Sequence, residues 1–450
     1  MSSPLSSLPE ELQIEIMIHL DSHSILQMAL TCRAFYRAFQ STPIRYIYEL
    51  GMNPLQDAGS GKSTDELLVL LRDRQKAWAT LEWKSLTTVE LPPNQQSFKQ
   101  SAGILAELGE TDVLVVYLPS STQPSRTLRH SIDGMHIDDI AIDGNQDLII
   151  LAGYFELPDK RRIRLHCRTI STSEVHPNAT AGGILEYDIH EDKYREHNLV
   201  TMQVTLADDI VVVGTGEKVT PNSCFGTGLR GYSSSFDFLR RDALLLTSAT
   251  SSGQILVYRF SPTAPGIPVH VASFGLPPIV PATRVSYIRV SSGQFQPRPT
   301  PGMLFMHLPE SRALTFSINY YHHLYTLFVR SSTFLRYMDD SASGLNEARD
   351  VPWEMWGERE SRFTEMDHNV SSRGIHGSRV IHGLHDGTSI EVLDFSSGLP
   401  CLASTICKRH GSDSPTVVPR KQIFLQDVVT ALPYRLEDVG LVHSFAAPTY

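Results

Sequence analysis

Cysteine is scarce in this sequence: five residues in 450, Cys32, Cys167, Cys224, Cys401 and Cys407, widely spaced and odd in number. That pattern excludes a disulfide scaffold and points to buried thiols in a reduced cytosolic or nuclear setting. An excess of positive charge is also lacking. Lys and Arg total 39 against 49 Asp and Glu, a formal net charge of −10. Such a chain has no electrostatic footprint for nucleic acid or for an anionic membrane surface. No apolar run approaches the roughly 20 residues of a membrane-spanning helix. Met1 to Ser7 is rich in Ser and Pro and has neither the basic nor the apolar stretch of a secretory signal. The sequons at Asn178 and Asn369 then carry no weight. Disorder is excluded by a content of 41% hydrophobic and 20% charged residues.

Catalytic and ligand-binding signatures are missing as well. Gly59-Ser-Gly-Lys-Ser-Thr64 approaches a phosphate-binding loop, but Gln56 stands where the first glycine belongs and no buried strand precedes it. It reads as a linker running into a helix cap. His376, His382, His385 and Asp386 lack the spacing of a zinc site, since positions 382 and 385 of a strand point to opposite faces. His322-His323 has the same defect. There is no Gly-x-Ser-x-Gly elbow. Asp138-Asp139 and Asp208-Asp209 read as solvated turn residues ahead of strands. Cys167 sits in the basic run Arg161–Arg168, whose charges would lower its pKa; the ordinary reading is a strand with alternating basic residues. Trp353 and Trp356 either form an exposed aromatic contact or pin a long loop to the core. The expectation is a non-enzyme with no cofactor and no metal.

What is present divides by periodicity. From Leu8 to about Trp83 the apolar spacing is helical. Ser7 with Glu10 fits a capping box, and Pro9 fits a first turn. Leu12, Ile16 and Leu20 form one stripe, Ile14 and Ile18 another, and the apolar arc covers about two-thirds of the helix, against the ~100° of an ordinary surface helix. A unit of about 40 residues has too little core to cover that arc alone, so either the rest of the chain or a separate protein must cover it. The pattern restarts at Ile25, Leu26 and Met28 after Asp21-Ser22, and again from Cys32 through Phe35, Tyr36 and Phe39. Pro43 interrupts it, and Ile44 to Leu50 reads as a further turn stopped by Gly51. Ser63 with Glu66 is a second capping box, ahead of the stripe Leu67, Leu68, Leu71, Trp78 and Leu81.

Beyond Trp83 the chain is a series of short β-type runs between turns such as Asp143-Gly and Ser252-Gly, with no interleaved helices. The predicted organisation is a helical domain at 1–50, a linker and helix at 51–84, and an all-β domain at 85–450. That β domain is too long for one sandwich. A propeller of about seven irregular blades accommodates it, with two packed sandwiches as the other arrangement. The runs Ser85–Leu91 and Val439–Phe445 are predicted to pair and close the ring.

Leu8-Pro-Glu-Glu-Leu12, then Ile16, Leu20, Ile25-Leu26 and Leu30-Thr-Cys-Arg-Ala-Phe35, resembles an F-box over residues 5 to 45. Ser22, Ser24 and Thr31 stand where that family commonly has Pro, Asp and Val. Gly51–Pro54, Leu70–Trp78, Leu81–Trp83 and Val392–Phe395 are similar to the extension of basidiomycete F-box proteins. The resemblance implies the substrate receptor of an SCF-type ubiquitin ligase. It docks on a Skp-family adaptor, and through it a cullin, by Leu8, Pro9, Leu12, Ile16, Leu20, Ile25, Leu26, Cys32 and Phe35. The β domain then holds an unknown target protein and raises its effective concentration near the ubiquitin-charged enzyme. An F-box scaffold working outside any ligase is the second reading, and an enzyme carried on the β domain the third.

Overall fold

The computed structural model describes residues 8–440 apart from 82–96, 120–123, 133, 158–159, 180, 191–201, 216–217, 223–228, 231–232, 263–266, 294, 301, 341–347, 367–369, 385–388, 397–409 and 412–413. Four helices open it: α1 (Glu10–Met17), α2 (Ser22–Ala29), α3 (Arg33–Phe39) and α4 (Thr42–Met52). Helix α1 begins after Pro9, whose ring presets the backbone for a helix start; the expected cap at Ser7 lies outside the described residues. Asp21 does not merely break the pattern but caps α2, its carboxylate accepting from the Ser24 amide at 2.9 Å. Two expectations are corrected at α4. Pro43 lies in its first turn, where a missing N–H costs nothing, and Gly51 lies inside the helix. A Cβ at Gly51 would stand 2.7 Å from Cβ of Ser22, so the glycine permits close approach of α4 to α2. Met17, Ile25, Ala29, Phe35, Ala38, Phe39 and Ile44 form the small core of this unit.

Helix α5 (Thr64–Thr80) starts at the expected capping box: Ser63 Oγ accepts from the Glu66 amide and the Glu66 carboxylate accepts from the Ser63 amide. It is tied to α4 by Arg72, which donates to Glu49 at 2.7 and 3.1 Å.

The remainder is a β-propeller. Among the described residues there are four sheets of four strands and two of five. Blade 1 runs from Ser97–Ser101 to Arg126–Ser131, blade 2 from Asp139–Asp143 to Ile184–His190, and blade 3 from Met202–Ala207 to Leu229–Arg230. Blade 4 runs from Ser233–Arg240 to Val269–Gly275 and adds Arg349–Val351 in parallel. Blade 5 comprises Val285–Ser292, Ala313–Tyr320, His323–Arg330 and Ser361–Glu365. Blade 6 comprises Val370–His376, Arg379–Leu384, Ser389–Asp394, Arg435–Gly440 and His410–Gly411. The first strand of each blade packs beside the first strand of the next.

This is fewer than the seven blades expected, because blade 5 spends residues on insertions. Its third and fourth strands are separated by α6 (Ser331–Asp340) and α7 (Trp353–Glu360), two helices the strand-like reading missed. Trp353 and Trp356 are buried, which settles their role as pins. They pack with Phe274, Phe334 and Phe363, and Gly357 leaves room for the Trp353 indole. Residues 414–434 then form a strap over blade 5. The expected strand Ile423–Leu425 is a single bridge, Phe424 to Ile279, and Phe424 sits against Tyr320, Tyr325 and Phe363. Arg362, buried in the last strand of blade 5, donates to the carbonyls of Leu432 and Ser414 at 2.7 and 2.8 Å. The predicted ring-closing pair falls largely outside the described residues. Val439 pairs with Ile390 inside blade 6, while Ser85–Leu91 and residues 441–445 lie outside the described residues.

Candidate docking surfaces

The helical unit leaves apolar side chains in solvent. Leu12 is 50% exposed, Leu30 75% and Tyr36 53%. Of the residues expected to meet an adaptor, Pro9 and Leu12 are exposed, and Leu8, Ile16 and Leu26 are half-buried. Leu20 and Cys32 are half-buried against the helical core. Ile25 and Phe35 are in that core, 0% and 5% exposed, so a partner reaches them only if the unit opens. The helices are shorter than the periodicity implied: α1 stops at Met17, and the arc divides, with Met17 buried and Ile14 and Ile18 turned to the core. Leu30 and Tyr36 were missed. Leu30 follows the last turn of α2, and Tyr36 faces away from its buried neighbours Phe35 and Phe39.

The helical arm is not a free appendage. Leu55–Asp57 pairs antiparallel with Phe305–His307 from the blade 5 insertion, and Tyr46 donates to Asp57 at 2.7 Å. Helix α5 presses Arg74 and Trp78 onto the propeller. Trp78 stacks on His376 at 5.7 Å, the Arg379 guanidinium lies 4.8 Å from the Trp78 ring, and Arg379 pairs with Asp394 at 2.9 Å with both side chains buried. Arg74 meets His307 Nε2 at 3.2 Å. Burial, with Arg379 adding to it, brings Arg74 down to about 10. His307 is pushed well below the imidazole range by burial, then by His376, Arg74 and Arg379. A neutral imidazole is thereby held among cations.

Which propeller face the arm occupies follows from the strand order. Turns between first and second strands share one face. The corresponding connection in blade 5, residues 293–312, crosses that face: Asn145 in blade 2 donates to the Arg298 carbonyl at 3.2 Å, and Arg298 pairs with Asp208 of blade 3 at 2.9 Å. The arm joins this same connection at Phe305–His307. The opposite face carries the turns between second and third strands, among them Thr250–Gly253 and Tyr321–His322.

The other sequence candidates fall apart as sites. Asp139 and Asp208 are not solvated turn residues: both are buried, and Asp139 joins three blades by accepting from Lys99 at 3.2 Å and the Val204 amide at 2.8 Å. Cys167 is buried, which raises its thiol pKa, against the lowering its basic neighbours suggested; Arg162 and Arg164 are taken by Asp188 and Glu186. His376 and His382 lie on adjacent strands, opposite Arg379 and Arg373 respectively, and are not brought together. His385 and Asp386 lie outside the described residues, among which no three His, Cys, Asp or Glu gather to hold a metal. The Ser63 hydroxyl, which a phosphate-binding loop would aim at Mg²⁺, is consumed by the capping box.

Residues 5–46 match the family model of the F-box domain. The chain carries an F-box domain. No curated protein matches it. Among solved structures, the chain is similar to Kluyveromyces lactis Hsv2p, at 10% identity and a TM-score of 0.32, over 66% of this chain and 91% of that one. It is similar to the WD40 β-propeller domain of Doa1, at 8% identity and a TM-score of 0.35, over 76% and 92%. It is similar also to Citrobacter koseri AztD, at 10% identity and a TM-score of 0.32, over 78% and 90%. The propeller rests on its own sheets, and the F-box on its matched residues.

Proposed function

We propose that the protein is the target-binding subunit of an SCF-type ubiquitin ligase. The F-box docks on a Skp-family adaptor and through it a cullin, and the propeller holds a target protein. The observation that carries this reading is an F-box domain whose helices keep Leu12, Leu30 and Tyr36 exposed. Apolar side chains of that size in solvent forgo roughly 1.5–3 kcal/mol each relative to burial, which an adaptor recovers. The arm's attachment to one propeller face favours the same reading, because it sets a fixed distance between adaptor and target. No bond is made or broken by this subunit; it raises the local concentration of target. The test is reconstitution. Full-length protein co-expressed with a Skp-family adaptor and a cullin elutes with both in one peak if the reading holds, and alone if it does not.

A further inference from the structure

Tyr321 and His322 form the two-residue turn between the second and third strands of blade 5, with Tyr320 paired to His323. Both have positive φ, +43° and +77°. A hairpin turn of this kind normally takes Asn-Gly, because a Cβ is strained in the left-handed region. Among the described residues no other two adjacent non-glycine residues have positive φ. Packing does not explain the choice: Tyr321 is 57% exposed. Its ring meets exposed neighbours, the His322 ring at 4.8 Å and the Arg284 guanidinium at 6.0 Å. Strain kept at an exposed tip, with no gain to the fold, is the pattern of a recognition element.

The surroundings define what it recognises. Arg284 is exposed in the connection from blade 4 to blade 5, and no carboxylate among the described residues pairs with it. The strap is fastened to the same connection, Thr283 Oγ1 donating to the Gln422 carbonyl at 3.4 Å. It carries Arg420, also exposed, whose backbone amide donates to Asp427 at 2.8 Å and whose guanidinium pairs with no carboxylate among the described residues, and Leu425, 56% exposed. Lys421 between them is taken by Glu365 at 2.7 Å. An Arg284 guanidinium with no carboxylate partner among the described residues thus stands over the exposed Tyr321 ring, in a chain whose net charge is −10. The corner lies on the face away from the F-box arm.

We infer that this corner, formed by Tyr321, His322 and Arg284, binds an acidic peptide segment of the target, a carboxylate meeting Arg284 and an apolar side chain meeting Tyr321. Guanidinium groups favour carboxylates through charge-assisted, paired hydrogen bonds, and the ring beside them excludes water from the contact. The inference rests on the reading of the propeller as the part that holds a target.

A random peptide library displayed on phage is selected against the immobilised full-length protein, and the enriched peptide is measured by calorimetry beside a copy with Asn and Gln in place of Asp and Glu. Enrichment of Asp or Glu next to an aromatic or aliphatic residue is expected, with binding weaker by about tenfold or more for the neutral copy and for Arg284→Glu. The double variant Tyr321→Asn, His322→Gly relieves the turn, so it melts no lower than the parent yet loses the peptide. Failure to enrich any peptide, enriched peptides without acidic residues, a double variant that binds as the parent does, or one that melts lower, each overturns the inference. Adaptor co-elution is scored separately. Peptide binding without adaptor binding keeps this corner and removes the ligase reading, and the converse removes the corner alone.

Discussion

In the F-box, Leu12, Leu30 and Tyr36 stand half or more exposed, whereas around blade 5 Trp353, Trp356 and Phe424 are buried beneath segments the chain itself supplies. The difference is one of size. Four short helices close over a core of seven fully buried residues and have no surface left to cover the outer arc. Blade 5 has two helices and a strap at its disposal, and its core merges with that of blade 4 through Phe274, Phe334 and Trp356. On the helices the exposed apolar side chains belong to the F-box, the part proposed to meet an adaptor; around blade 5 the large rings are covered by the chain itself, while single apolar side chains such as Ile267, Val269, Met355 and Leu425 stay exposed on the propeller.

The largest effect that tests this contrast is on stability. Trp356 is 1% exposed and its indole N–H donates to the Gly275 carbonyl at 3.1 Å. Trp356→Ala removes the ring that α7 drives between Phe274 and Phe334 and leaves that carbonyl unpaired, a loss of roughly 3–5 kcal/mol. Thermal unfolding followed by tryptophan-independent circular dichroism should show a large drop in Tm. A variant melting as the parent does contradicts the self-completed core. On the helices the same kind of insult should act on binding. Leu12→Asp places a carboxylate on an exposed helix position, so folding is spared, but the adaptor contact loses roughly 2 kcal/mol or more. Loss of adaptor co-elution with an unchanged melt is expected, and retained co-elution removes Leu12 from the interface.

The sequence carried the two regions unequally. Helix starts were legible where a side chain does the capping, as at Ser63 and Glu66, because that signal is local. The F-box was legible because its spacing from Leu8 to Phe35 is dense. Which of those residues face out was not: Ile25 and Phe35 match the family pattern as well as Leu12 does, and only the packing of α2 on α3 and α4 distinguishes them. Strands such as Ala243–Thr247 and Leu324–Val329 were plain from their apolar runs. The exposed outer strand Arg126–Ser131 was missed because an edge facing water has no alternation to read. Helices α6 and α7 were missed because they are short: α6 follows a strand without a break, and α7 left only Pro352 at its start and Trp353 and Trp356, three apart, as traces. The junction of Arg74, Trp78, His307, His376 and Arg379 had no local signal at all, since its members are separated by up to 305 residues in the chain, from 74 to 379.

That junction yields a smaller effect, dependent on pH. His307 and His376 have folded pKa values lowered from 6.5, the latter to about 4, by burial and by the cations Arg74 and Arg379. A depressed imidazole binds fewer protons folded than unfolded, so stability rises with pH in this window and falls as pH drops from about 6.5 towards 4. The loss should be local to the seat of α5, where Asp394 is already engaged by Arg379. Hydrogen exchange at about pH 7 and about pH 5 should show α5 losing protection while Ala243–Ser248 in blade 4 keeps it. His307→Gln should flatten the dependence. Equal loss in both segments means that acid acts on the whole fold and not on the junction.

The smallest effect separates the arm from its anchor. Ser63 starts α5 by accepting from the Glu66 amide at 3.4 Å, and Glu66 answers by accepting from the Ser63 amide at 3.1 Å. The pairing holds the Glu66 carboxyl below its ordinary range, first through the backbone hydrogen bond and then through the Ser63 hydroxyl. Removing the hydroxyl by Ser63→Ala costs a helix about 1 kcal/mol. In an isolated helix that loss would unwind the first turn. Here Leu67, Leu68 and Leu71 are buried with Tyr46, Leu50 and Leu55, and Arg72 is held by Glu49 one turn further on. Tertiary packing therefore retains the helix from about Leu67 onward, and fraying should be confined to the residues before it. Exchange at the amides of Asp65 and Glu66 should quicken in Ser63→Ala while those of Leu71 and Arg72 stay protected and adaptor co-elution is unchanged. Should the variant lose protection along the whole of α5, the cap and not the packing holds the arm on the propeller, and the fixed spacing between adaptor and target would hang on one hydroxyl.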